Sequence, residues 1–216
     1  MTLPPLPAFA VTGVGSLPDA DVESAVDRVL AQAPDLPFAP QLPNRSPRER
    51  PVAQAAEGLP GVRIDDRHGW AFVEGISIPG TGTVPEDSGE PVVGDEAYAG
   101  LYRLLDRVKG SERPVKVQLT GPVTIASRVT DGRGRRAIYD SAWRRAAARA
   151  IGRKAAHLAD QVRDAGCEPV VFLDEPELLG AAGPQAALSP AGAAALVAEA
   201  LEEIDAPRGV HCCARV

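Results

Sequence analysis

Three short clusters of the 216-residue chain carry side chains able to do chemistry. The sharpest is His211 with Cys213, two positions apart in Gly209-Val-His-Cys-Cys. On a strand both would point to one face, so an imidazole and a thiolate can meet one ion while Cys212 faces away. Zinc takes such N and S donors in tetrahedral geometry. A thiol bound to it loses its proton and becomes a nucleophile at neutral pH. Two small buried cysteines beside a histidine give the same pattern, and a bare His-x-Cys does not choose between these readings. The second cluster, Asp174-Glu175-Pro176, directly follows an apolar run. Adjacent carboxylates alternate faces, so at most one reaches an interior. It would hold a ligand's ammonium group there, or else serve as an acid favourable to a helix start. The third is Ser16, which can bind a carboxylate through its hydroxyl and nearby backbone N–H groups, or simply make a turn.

The elements that must position these groups alternate in type. Residues 8–14 (AFAVTGV) read as a first strand ending at Gly15-Ser16, and residues 19–33 follow with a 3.6-residue apolar rhythm. Residues 36–42 form a second extended run, ahead of Asn44-Arg45. Ser46 with Pro47 then opens a helix through about Glu57. Residues 60–93 break the rhythm and read as an irregular excursion or hairpin. A helix is predicted over 95–109, with Leu101, Leu104, Leu105 and Val108 on one face. Residues 115–119 (VKVQL) make a clean alternating strand that ends in Thr120-Gly121-Pro122. A helix follows from about 141 to 165, closed by Gly166. Residues 169–173 (PVVFL) read as a strand buried on both faces, Ser189-Pro190 caps a helix to Ile204, and residues 209–213 form a last short strand.

About five strands alternating with helices predict a parallel sheet. A dinucleotide-binding sheet needs a third glycine after Gly13-Val-Gly15, and Pro18 stands near that place instead. The reading is therefore α/β of the (β/α)8 TIM-barrel type. Residues 1–216 form one partial barrel domain, apparently truncated after about the fifth strand. In such a barrel the C-terminal strand ends share one mouth. Ser16, Asn44-Arg45, Gln118, Thr120, Asp174, His211 and Cys213 all fall at those ends. Cys167 precedes its strand and is assigned to packing, and His68 and His157 are read as structural.

Bulk properties narrow the field. The chain is 44% hydrophobic and 24% charged with a net charge of −6, the balance of a globular protein with no basic patch for nucleic acid. The Arg-rich stretch from Arg133 to Arg153 alternates with Ala at helical spacing and reads as a solvated helix face. There is no signal-peptide pattern at the N-terminus and no apolar run long enough for a membrane span. Three cysteines, two of them adjacent, argue against a disulfide framework, and the expected location is cytoplasmic.

Four motifs then occur in order: Val14-Gly15-Ser16-Leu17-Pro18, Leu119-Thr120-Gly121-Pro122-Val123-Thr124-Ile125, Leu173-Asp174-Glu175-Pro176 and His211-Cys212-Cys213. Together they resemble the catalytic barrel of cobalamin-independent methionine synthase, in the superfamily that includes uroporphyrinogen decarboxylase. The resemblance implies zinc-dependent methyl transfer to a thiol such as homocysteine, in methionine biosynthesis. By it, His211 and Cys213 would be zinc ligands, and Ser16 with the backbone of Val14 and Gly15 would hold the amino-acid carboxylate. Asp174 would bind the amino group, with Glu175 supporting it. The family takes a further Glu and Cys from later strands, and neither occurs before Val216. The family's long amino-terminal half is absent too, which leaves the methyl donor open between a methyl-folate and a corrinoid protein. Little or no turnover by this chain is expected. Two other readings stand beside this one. A metal-free tetrapyrrole decarboxylase would need Arg45, Arg48 and Arg50 clustered at the mouth. A truncated barrel acting as an interaction module could pair as a homodimer through its open edge.

Overall fold

The computed structural model describes residues 8–73, 91–180 and 187–213. Their strands are β1 (Val62–Ile64), β2 (Ala71–Val73), β3 (Pro114–Thr120), β4 (Thr130–Asp131), β5 (Glu168–Asp174) and β6 (Arg208–His211). Their α-helices are α1 (Val22–Gln32), α2 (Pro51–Ala56), α3 (Ala99–Val108), α4 (Pro122–Arg128), α5 (Ser141–Asp164) and α6 (Pro190–Glu202). No helix among the described residues is long and apolar enough to cross a membrane.

β3 pairs with β5 over its whole length, and β5 with β6, all parallel. Two further segments extend this sheet by single parallel bridges, Phe38 to Lys116 and Ser16 to Gln41. The spatial order is therefore the chain order: residues 13–16, residues 38–41, β3, β5, β6. Each member is parallel to the next, the arrangement of successive staves in a parallel α/β barrel. Among the described residues the arc does not close.

Alternation along the staves divides two environments. Val115, Val117 and Leu119 of β3, with Val171 and Leu173 of β5, join the main apolar core with Leu101, Leu104, Ile151 and Leu158 of the covering helices. The opposite face carries Lys116, Gln118 and Phe172, with the Lys116 ammonium 5.1 Å from the Phe172 ring centre. Both faces are enclosed, so β3 is buried from Val115 to Thr120.

Most predicted elements are present. Asp21 caps α1 through its carboxylate on the Ser24 N–H at 2.9 Å, and the Ser189 hydroxyl accepts from the Gly192 N–H at the start of α6. α3, α5, β3 and β5 lie within a few residues of their predicted spans. Three readings need correction. The helix predicted from Ser46 to Glu57 is two pieces, a 3-10 turn over Pro47–Glu49 and then α2. Arg50 breaks them with ψ of 136°, because the residue before a proline is pushed out of the helical region. Residues 8–14 build no strand ladder; the first stave meets the sheet one turn later, at the Ser16–Gln41 bridge. α4 was not foreseen.

The excursion at 60–93 is a hairpin where it is described. β1 and β2 pair antiparallel, β4 adds to β2 in parallel, and this three-stranded sheet stands apart from the arc. Residues 74–90 of that predicted excursion lie outside the described residues.

Candidate active site

A cavity of about 780 Å3 opens where β3, β5 and β6 end. Their last residues, Thr120, Asp174 and His211, lie in direct register and all three line it. Cys213 lines it too, although β6 ends at His211. Val14, Ser16 and Gln41 face them from the first two staves, and Trp70 and Phe72 of the small sheet form an apolar wall. The N-terminal and C-terminal motif residues, some 200 positions apart in the chain, thus meet in one space.

Asp174 is 9% exposed, and burial raises its carboxyl above the ordinary carboxylate range, against the opposing pull of Lys116 and His211. His211 Nδ1 stands 3.3 Å from Asp174 Oδ1. The approach lacks hydrogen-bond alignment, and Oδ1 is a buried oxygen with no hydrogen-bond partner among the described residues. Such an oxygen costs about 1–3 kcal/mol unless something supplies a donor. It lies in the wall of a cavity that a cationic or N–H-bearing ligand can enter.

Glu175 turns the other way, as the alternation of faces requires. It is fully buried and does not line the cavity. Its two oxygens accept from the Val123 and Thr124 N–H groups, both at 2.8 Å, and from the Thr124 hydroxyl at 2.6 Å. That carboxylate is the cap of α4. Its charge meets the otherwise unpaired N–H groups of the first turn.

On the opposite wall, Gly15 has φ +149°, and a Cβ there would lie 2.5 Å from Gln118 Nε2. Only glycine lets the chain pass this close to β3. The Ser16 hydroxyl donates to Gln41 Oε1 at 3.3 Å, Gln41 donates to Gln54 Oε1 at 2.6 Å, and Gln54 donates on to the Ala97 carbonyl at 2.5 Å. This relay fixes the hydroxyl from α2. Beneath it, Lys116 Nζ donates to the carbonyls of Gly13 at 2.8 Å and Val14 at 3.1 Å.

The arginines do not cluster at the mouth. Arg45 pairs with Glu49 at 2.5 Å, and Arg48 with Glu57 and Asp66, each at 2.5 Å. Arg50 lines the cavity and Arg128 joins it while bonded to Glu177. A tetrapyrrole with several carboxylates would find few free cations here. His68 bonds Asp65 at 2.6 Å and His157 lies against Gln161 at 3.1 Å, both outside the cavity lining. Cys167 is buried with its thiol toward the Val108 carbonyl at 3.4 Å, a packing role.

Zinc suits the donor chemistry of His211 and Cys213, and both line one cavity. The count falls short. Among the described residues no three His, Cys, Asp or Glu side chains are grouped closely enough to hold a metal. The pair supplies half of a tetrahedral set.

Lys116, Gln41 and Gln54 were not singled out by sequence reasoning. Lys116 carried one usable signal: a lysine in a strand flanked by helical segments on both sides must point its amine somewhere enclosed.

No family model matches the chain, and no curated protein does. Among solved structures it is similar to a B12-independent methionine synthase from Shewanella sp. W3-18-1, in complex with selenomethionine, at 17% identity and a TM-score of 0.55. The match covers 95% of this chain and 61% of that one, so the chain spans under two thirds of the similar protein's length. At that identity the likeness speaks for the fold, an α/β architecture of the methionine synthase type.

Proposed function

We propose that this chain is a single barrel-type domain of a methyltransferase whose acceptor is a thiol amino acid of the homocysteine kind. The observation that carries the reading is Asp174 Oδ1, which accepts no hydrogen bond among the described residues and is buried in the wall of a cavity that Ser16 and Cys213 also line. Asp174 holds the acceptor's ammonium group. Ser16, with the backbone of Val14 and Gly15, holds its carboxylate. Glu175 keeps Asp174 in place by anchoring the β5 end to α4.

His211 and Cys213 would be the two ligands that this cavity offers a zinc ion. When bound, such an ion would keep the acceptor's sulfur as the thiolate. The ammonium and carboxylate contacts align the sulfur beneath the open cavity, where a methyl-folate or a methyl-corrinoid protein presents the methyl group. The apolar side chains of Trp70 and Phe72 flank that approach. This makes the chain one part of the machinery of methionine formation.

Binding of L-homocysteine by titration calorimetry tests the reading. Asp174→Asn removes the charge that meets the ammonium, and affinity falls by about 10- to 100-fold, the worth of one charge-assisted hydrogen bond. Equal binding by the wild-type chain and Asp174→Asn would remove the ground for an amino-acid site.

A further inference from the structure

Lys116 is 2% exposed and does not line the cavity. A buried ammonium is costly unless all its protons find acceptors. Here each has one: Gly13 O, Val14 O and, at 3.4 Å, Gln118 Oε1. Two of the three belong to a stretch in no strand, tied to the sheet by the Ser16–Gln41 bridge. The amine reaches from β3, past the second stave, to the first. Its charge acts on Asp174 as well.

We propose that Lys116 is a positioning residue for carboxylate recognition, a strut that sets residues 13–16 at the height of Asp174 so that one amino acid can span both walls. This rests on the amino-acid reading above and adds a residue to it. A ladder of backbone bonds would have held the first stave as part of the sheet, with its carbonyls paired to a neighbour. The ammonium instead binds two successive carbonyls from inside the arc, which leaves the N–H groups of Gly15 and Ser16 open to a ligand beside the hydroxyl that Gln41 orients. Burial lowers the Lys116 amine to about 8, with the nearby Asp174 charge opposing that shift. Near neutral pH it is therefore still charged and still donating all its protons.

The test compares L-homocysteine with 3-aminopropane-1-thiol, the same molecule lacking its carboxylate, by titration calorimetry on the wild-type chain and Lys116→Met. The wild type prefers L-homocysteine by about tenfold or more. Lys116→Met, similar in shape but without donors, loses that preference to within about twofold, while its affinity for the amine thiol stays equal or rises because Asp174 has lost a neighbouring cation. Amide hydrogen exchange at Leu17 and Gln41, whose N–H groups make the backbone bonds that tie the first stave to the second, speeds by about tenfold, with β5 amides unchanged. Preserved preference in Lys116→Met overturns the strut while leaving the amino-acid site standing, and equal weakening of both ligands overturns it as a mere fold effect. A wild type that binds neither ligand overturns the amino-acid reading, and the strut falls with it. Lys116→Gln supports the same comparison if the methionine variant does not fold.

Discussion

Two of the three lysines of this chain are buried, and they serve different ends. Lys116 braces the candidate site, whereas Lys154 sits in α5 and donates to the carbonyls of Gln54, Ala55 and Glu57 at 3.1, 3.4 and 2.5 Å, closing the C-terminal end of α2. Burial lowers the Lys154 amine from its ordinary 10.5 to about 8, with the Glu57 charge opposing. Between these two values the unfolded chain binds a proton that the folded chain does not, so the Lys154 contribution makes stability rise with pH across that window. Below about 8 the amine is charged in both states and contributes no slope. Urea titrations of the wild type from pH 8 to 10.5 therefore show a rise relative to Lys154→Met, and parallel pH profiles would refute the assignment. At this scale the sequence was partly legible. Alternation alone separated Asp174 from Glu175, and Ser16, His211 and Cys213 were marked by type and position. Lys116 and Lys154 were not, because each finds its backbone acceptors some 97 to 103 residues away.

The elements show the same division between local and distant causes. α1 and α6 announce themselves because their caps, Asp21 and Ser189, stand next to them in the chain. The break at Arg50 was also written locally, in the proline that follows it. α4 was not readable, since Gly121 at its N-cap offers no side chain and the cap is Glu175, 51 to 52 residues away. Glu175→Ala leaves the Val123 and Thr124 donors without that acceptor in a buried setting and opens a void beside them. The expected loss is about 3 kcal/mol or more, read as a lower urea midpoint with an unchanged slope. A loss within about 0.5 kcal/mol, the range of a neutral surface change, would mean that α4 is held by other contacts.

For the molecule as a whole, the parallel arc in chain order was legible from repeated strand-helix alternation, and the cavity in part: Ser16, Thr120, Asp174, His211 and Cys213 line it, whereas Asn44, Arg45 and Gln118 do not. The number of regular strands was overstated. Apolar runs 8–14 and 36–42 look like strands because they are as hydrophobic as strands, yet each joins the sheet by bridges alone. The metal forecast also belongs to this scale. With two N/S donors in the cavity and no group of three among the described residues, the dialysed 216-residue chain should retain well under one equivalent of zinc by elemental analysis. Retention of a full equivalent after mild chelation would reveal a complete donor set elsewhere in the chain.

The seven-residue ladder between β3 and β5 also bears on the route by which the chain reaches its native state. β3, α5 and β5 lie near one another in the chain and all contribute to the main apolar core, so they are the expected nucleus of the folding reaction. The opening stave, held by a bridge and an ammonium, docks after the rate-limiting barrier. Truncation of Val117 or Val171 should then slow refolding, whereas replacing Phe38, whose ring packs against Gly13 of the opening stave, should chiefly hasten unfolding. Stopped-flow chevrons distinguish the two. The segment around Ser16 that lines the cavity would thus be the last part to assemble and the first to come loose.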